Sequence, residues 1–328
     1  MDLNTVTAVL RPRARAELGG LEAGDAFLAG GTWLFSEPQP AVRRLVDLTD
    51  LDWAPLLAGE EGLTISATCT IARLHAFEPP AVWSAAALIP QCCRAFLASF
   101  KIWNMASVGG NICLALPAGP MISLCAALDG TCLVWSPDGG ERRVKVTDFV
   151  RGPQHNALEP GEVLRAIELP AEALARRAAF RRASLTPHGR SGVLLIGTLA
   201  RDGGFALTVT ASTRRPVRLD FPALPGCAAL AERLAQAIPD ALYYDDVHGR
   251  PDWRRHMTGL FALEILAELA GGGRREPHRQ RPCAAGVAPA GAMPAHAAAR
   301  SRLVRGEEGL RRRRLRRLHR ASRWAAGA

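Results

Sequence analysis

No run in this 328-residue chain approaches the ~20 consecutive apolar residues that a membrane span requires. The amino-terminal stretch MDLNTVTAVLRPRARAEL carries an acid at position 2 and lacks an apolar segment suited to a signal peptide. Both absences predict a cytoplasmic chain whose eight cysteines are reduced. Only Cys92 and Cys93 are adjacent and no C-x-x-C pair occurs, which argues against a zinc or iron–sulfur site built by this chain alone. The cysteines read instead as scattered core residues. Neither G-x-G-x-x-G nor a P-loop ending in Lys-Ser/Thr is present, so a Rossmann dehydrogenase and a P-loop kinase are both disfavoured.

What is present is long enough for two domains or more. The net charge of +10 resembles that of a nucleic-acid binder until it is located. Residues 271–328 hold 15 arginines against 3 acids, which leaves 26 basic and 28 acidic residues before them. Any argument from charge to a polyanion therefore belongs to this Ala-, Arg-, Pro- and Gly-rich tail, which lacks periodicity and is expected to be disordered. RRRRLRR could serve a nucleic-acid-binding arm. The abrupt change of composition is better explained by a non-native extension, such as a reading-frame change in GC-rich DNA, and no nucleic-acid partner is expected.

The first third alternates short strand-like runs. AFLAGGTWLF ends a strand in a double glycine, RRLVDLTDL and GLTISATCT read as two more strands, and the spacing predicts a small parallel sheet. Residues 81–98 read as mostly helix with a kink at Pro90. MISLCAALDGTCLVWS predicts a helix then a strand, PDGGERRVKVTDFV a hairpin, and GEVLRAIELP a strand stopped by Pro170. From 176 onward RAAFRRAS, GVLLIGTLAR and GFALTVTAS read as antiparallel strands. Helices follow at ALAERLAQAI and DWRRHMTGLFALEILAELA, the latter with Met257, Leu260, Phe261, Ile265 and Leu269 as an apolar stripe ended by the glycines at 271.

Two small-residue turns stand out: AGGT at 29–32, after a strand, and SVGGN at 107–111. Glycine lets a main chain approach a ligand closely and aim several N–H groups at it, an arrangement that neutralises phosphates. Taken singly, each is more simply a turn. Two of them about 77 residues apart raise the prospect of one shared ligand, such as a dinucleotide with a central pyrophosphate.

FLAGGTWL, ISATCTIARL, KIWNMASVGGNI, ALDG and VTDFVRG…LEPGEVLRAIELP occur in the order and spacing of one family. The chain resembles the FAD-binding medium subunit of the molybdenum hydroxylases, the xanthine dehydrogenase and carbon monoxide dehydrogenase type. FRRAS, RPVRL and DWRRHMTGLFALEIL resemble that family's carboxy-terminal domain, so the likeness covers roughly residues 1–270. It implies an α+β fold: a vanillyl-alcohol-oxidase-type FAD domain over 1–175, with subdomains of about 1–55 and 56–175, then a smaller sheet-and-helix domain over 176–270. Leu28, Ala29, Gly30, Gly31, Thr32 and Trp33 match the first FAD loop. Ser107, Val108, Gly109, Gly110 and Asn111 match the second, meeting the pyrophosphate through main-chain N–H and side-chain groups. ICLALPAG would lie along the buried cofactor. Leu164 matches an apolar residue beside the isoalloxazine, and Arg181 a basic position near it; their plainer readings are a core residue and a surface ion pair.

The chain departs from the family pattern at Trp33, where Asp is frequent, at Trp103, where Arg is frequent, and at Leu116 and Pro120 in place of Ser-Pro-x-x-Asp. The implied function is electron transfer through FAD, with no catalytic acid or base from this chain. Electrons would come from iron–sulfur clusters on a small partner subunit, fed by molybdopterin on a large one, and leave to NAD+ or another acceptor. The scattered histidines His75, His155, His188, His248 and His256 read as structural or surface residues. The alternatives are a stand-alone flavoprotein oxidase or reductase, and a non-catalytic assembly subunit that has lost FAD.

Overall fold

The computed structural model describes residues 3–271 except Ala23, and the expectations for the tail beyond 271 lie outside the described residues. Three short strands, β1 (Ala8–Leu10), β2 (Asp25–Leu28) and β3 (Arg44–Asp47), form a parallel sheet with β3 in the middle. GLTISATCT is not part of it. β4 (Leu56–Gly59) and β5 (Gly62–Ser66) are joined by two residues, and so short a link makes only an antiparallel pair. Gly62 sits at φ +132° with its missing Cβ 2.0 Å from the Leu169 carbonyl, so no larger residue fits that corner. These strands enter a five-stranded sheet, ordered β4-β5-β10-β6-β7, with β6 (Thr131–Trp135), β7 (Glu141–Lys145) and β10 (Val163–Pro170). A two-stranded ribbon, β8 (Val150–Gly152) and β9 (His155–Asn156), precedes β10.

Helices α1 (Ile71–His75), α2 (Leu88–Ala95), α3 (Phe100–Trp103), α4 (Val108–Leu114) and α5 (Pro120–Ala127) lie between β5 and β6. Pro90 does not kink α2. It occupies the first turn, where its missing N–H would have had no helical partner anyway. All eight residues of α5 are buried, as expected of a helix apolar on every side. The short α6 (Val146–Phe149) and α7 (Ala171–Leu174) follow β7 and β10.

The remaining strands, β11 (Arg177–Ala183), β12 (Val193–Leu199), β13 (Phe205–Thr210) and β14 (Val217–Phe221), make an antiparallel sheet in sequence order. α8 (Cys227–Ala237) and α9 (Pro251–Ala270) follow it. α9 lies directly on β12, with Ile265 Cγ2 2.2 Å from where a Cβ on Gly197 would be. Phe261, Ile265 and Leu269 form the buried stripe of α9, whereas Met257 and Leu260 are only partly covered.

The two sheet regions share α5. Ser123 Oγ meets Thr210 Oγ1 at 2.7 Å, Ala211 N donates to Pro117 O at 2.9 Å, and Arg218 reaches Asp129 at 2.7 Å and the carbonyls of Ala126 and Ala127 at 3.2 Å. Among the described residues no helix is long and apolar enough to cross a membrane.

Candidate functional site

The first glycine turn begins where β2 stops. Arg44 forks onto Asp25 across the β2–β3 pair at 2.7 and 2.6 Å, which pins the strand and holds the Asp25 carboxyl below its usual range. Beyond Leu28 the chain reverses through Gly31, at φ +67°. Phe35 N donates to Gly31 O, and both Ser36 N and Ser36 Oγ donate to Trp33 O, each at 2.9 Å. These bonds close the turn using its carbonyls. The N–H groups of Gly30, Gly31, Thr32, Trp33 and Leu34 are left with no acceptor among the described residues.

The second turn comes to lie against the first. A Cβ on Gly30 would sit 1.6 Å from the Met105 carbonyl oxygen, so the backbones touch at a point only glycine can occupy. Ser107 caps α4 by accepting from Gly110 N at 3.0 Å. Val108 N donates to Cys69 O, Gly109 N to Ala67 O and Asn111 N to Ser107 O. This differs from the expectation that the main-chain donors of this turn face a phosphate: those of Val108, Gly109, Gly110 and Asn111 are committed within the protein, and Ser107 N alone has no acceptor among the described residues. What the turn offers outward is the Ser107 hydroxyl proton and the Asn111 amide. Asn111 Oδ1 accepts from Met121 N at 3.1 Å, which leaves Nδ2 without a protein acceptor among the described residues.

Both turns line one cavity of about 610 Å³. Cys113, Leu114, Leu116, Ala118, Gly119 and Pro120 form one apolar wall, and Leu158, Val163 and Leu164 another. The second wall is set by Glu162, which accepts from Arg142 at 2.7 and 2.5 Å and from Glu159 N at 2.8 Å. Arg142 holds this carboxyl below its ordinary range and fixes the loop that delivers Leu158 and Val163.

Of the residues singled out from sequence, Ala29, Gly30, Gly31, Thr32, Trp33, Ser107, Gly109, Gly110, Asn111 and Leu164 meet at this cavity. Leu28 ends β2 and Val108 is fully buried in the core, so neither lines it. Arg181 is elsewhere: it forks onto Glu264 at 3.0 Å and Glu268 at 2.7 Å, both on α9. Trp33, Leu116 and Pro120 are cavity residues, whereas Trp103 packs 5.0 Å from the His75 ring with Nε1 buried and without an acceptor among the described residues. Sequence reasoning missed Glu37, Arg190 and Ser191 on the cavity lining. Polar residues in loops carry no periodic signal, and only a close approach in space distinguishes them.

Burial pushes the thiols of Cys69, Cys93, Cys113 and Cys125 up from 9.0 to about 12, and those of Cys92 and Cys132 well above 9.0. The raised values contribute stability that is fully present below pH 9. Above it the unfolded chain releases protons that the folded chain retains, so stability falls by up to about 1.4 kcal/mol per thiol per pH unit, until the folded thiols titrate. Urea melts at pH 8 and pH 10 are expected to show a clearly lower midpoint at pH 10. Equal midpoints would contradict the burial of these thiols.

Residues 7–172 match the family described as FAD binding domain in molybdopterin dehydrogenase. The chain belongs to that family. The match spans both glycine turns and Leu164 and ends before Arg181. The carbon monoxide dehydrogenase medium chain of Afipia carboxidovorans is 26% identical over 180 residues, covering 50% of this chain and 60% of that one. The xanthine dehydrogenase of Oryza sativa subsp. japonica is 30% identical over 117 residues, 34% of this chain and 8% of that one. The matched region thus spans less than two thirds of either relative. Among solved structures, quinoline 2-oxidoreductase from Pseudomonas putida 86 superposes with a TM-score of 0.68 at 22% identity, covering 83% of this chain and 99% of that one. Carbon monoxide dehydrogenase from Hydrogenophaga pseudoflava gives 0.66 at 20% identity, covering 80% and 96%. At such identities these likenesses establish the α+β fold.

The cavity of this FAD-binding domain fits its cofactor on physical grounds. A row of unpartnered N–H donors suits a diphosphate, and Gly30 sits where a Cβ would clash with backbone. Much of the remaining lining is apolar, as a flat ring system shielded from water requires.

Proposed function

We propose that this chain is the FAD-carrying electron-transfer subunit of a cytoplasmic molybdenum-containing hydroxylase or dehydrogenase. It would take electrons from iron–sulfur clusters on a small partner subunit, fed by a molybdenum cofactor on a large one, and pass them to NAD+ or another acceptor. The observation that carries this reading is the meeting of both glycine turns in one cavity whose lining combines unpartnered main-chain donors with many apolar side chains. The relatives support it, since the Afipia carboxidovorans protein is by name the medium chain of a dehydrogenase.

FAD supplies the redox chemistry when bound. The chain's own residues bind, orient and exclude water. The N–H groups of Gly30 to Leu34 would hold the diphosphate, joined by the Ser107 hydroxyl and Asn111 Nδ2. Leu158, Val163, Leu164 and the 113–120 segment would keep the ring dry. Trp33 lines the cavity where an acid is frequent in the family. In this reading residues 1–175 form the cofactor domain and 176–270 the smaller domain that completes the subunit.

Affinity isolation of the tagged chain from its native cells, with metal analysis, tests the assignment. Co-purification of a molybdenum-containing subunit and an iron–sulfur subunit in fixed ratio is expected. A flavin-loaded chain that purifies alone, with neither metal, would favour the stand-alone flavoprotein instead.

A further inference from the structure

We propose that Arg190 is the cation that faces the redox ring of the bound flavin, an inference that rests on the flavin reading above. Among the described residues that line the cavity, Arg190 carries the one guanidinium or ammonium group, and the cavity's one carboxylate is Glu37 beside the first turn. Arg190 has no ion pair or side-chain hydrogen bond among the described residues, although its backbone on both sides is tied down. Arg182 donates to Ser191 Oγ at 2.7 Å and to the Gly189 carbonyl, and Gly189 N donates to Thr186 O at 3.0 Å. Gly192 N closes onto Ala183 O at 2.9 Å, and a Cβ on Gly192 would meet the Trp253 ring at 2.6 Å. Ser191 itself is buried. The loop is thus held on both sides of Arg190, at Gly189 and at Ser191 and Gly192, and Arg190 itself is a solvent-exposed, unpaired cation on the cavity lining.

Its place along the cavity favours the ring over the diphosphate. The donors of Gly30 to Leu34 already provide for two phosphates without a charged side chain. Arg190 instead leads into β12, whose Leu194 pairs with Thr210. The neighbouring Ala211 donates to Pro117, inside the apolar wall of residues 113–120. Arg190 is exposed, but a positive charge near a protein surface still acts through a lower effective dielectric than one in bulk water. It stabilises the reduced, anionic form of the ring relative to the oxidised, neutral one. Arg181, the basic residue suggested by resemblance, is neutralised by two glutamates and lies off the cavity lining.

The test uses the full FAD-loaded chain and compares wild type, Arg190→Gln and Arg190→Lys. Two quantities are read: the flavin midpoint potential against redox dyes, followed by absorbance, and the FAD dissociation constant. The glutamine variant is expected to shift the oxidised/reduced equilibrium about tenfold toward the oxidised form, a fall of about 30 mV for a two-electron couple. Its FAD affinity should change less than threefold, and the lysine variant should restore most of the potential. Affinity lost more than tenfold with an unchanged potential would place Arg190 on the diphosphate and overturn the proposal. Unchanged values of both would overturn it as well. A wild-type chain that takes up no FAD would instead defeat the flavin reading on which the proposal stands.

Discussion

Gly30→Ala is expected to weaken FAD binding at least about 100-fold, about 2.7 kcal/mol, while leaving the chain folded. The reason is steric and local. The new Cβ would lie 1.6 Å from the Met105 carbonyl oxygen, 2.5 Å from its carbon and 3.2 Å from Ala106 Cα. All three are backbone atoms and cannot swing aside as the end of a side chain would. The two turns must separate, and the free donors of the first then lose their relation to Ser107 and Asn111 on the second. The clash acts on a surface turn beyond β2, away from the buried helix α5, so the core should persist. Gly259→Ala, in α9, has nothing within 4 Å and serves as the matched control. Titration with FAD, alongside far-ultraviolet circular dichroism, reads both effects. A Gly30→Ala chain that binds FAD as tightly as wild type would show that the turns need not touch.

Arg254→Met is expected to destabilise the protein by about 3–5 kcal/mol. Arg254 is 1% exposed, and its guanidinium donates to Gly249 O at 2.9 Å, to Ala211 O, and to Asp246 Oδ1 at 2.5 Å. Its charge also sits 5.7 Å from the centre of the Tyr244 ring. Burial draws its proton affinity down, and Asp246 opposes that loss. Methionine fills much of the volume but leaves Asp246 and two buried carbonyls without their donor. Ala211 is held at φ +63° and in turn donates to Pro117, so the loss should loosen the cavity wall as well as α9. A thermal midpoint lower by about 10 °C is the expected reading. A shift under about 2 °C would mean that the guanidinium contributes little beyond its packing.

Much of the fold was legible in the sequence because it follows local rules. The 176–210 strands are short runs broken by polar turns, two of them buried along nearly their whole length, and the hairpin at PDGG announces itself. Pro90 was misread because a kink and a first-turn proline look alike until the helix start is known. β5 was assigned to the wrong sheet because a strand's partner depends on the two-residue turn before it, which binds it to β4. At the site, the glycine turns were visible as composition, but their mutual contact was not. The closeness of Gly30 to Met105 depends on how two distant segments fold together. Which turn keeps its donors free was likewise hidden, since Cys69 and Ala67 take those of the second. Arg181 and Arg190 illustrate the same point. Adjacent strand register decides that the first meets α9 and the loop decides that the second meets the cavity.

The visible absorption spectrum of the purified chain, with the released cofactor identified by mass, tests the central claim most directly. The account predicts flavin bands and one FAD per chain, retained or taken up on addition, despite Trp33, Leu116 and Pro120 on the cavity lining. A folded, colourless chain that also refuses added FAD would contradict it, and would leave the assembly-subunit reading in its place.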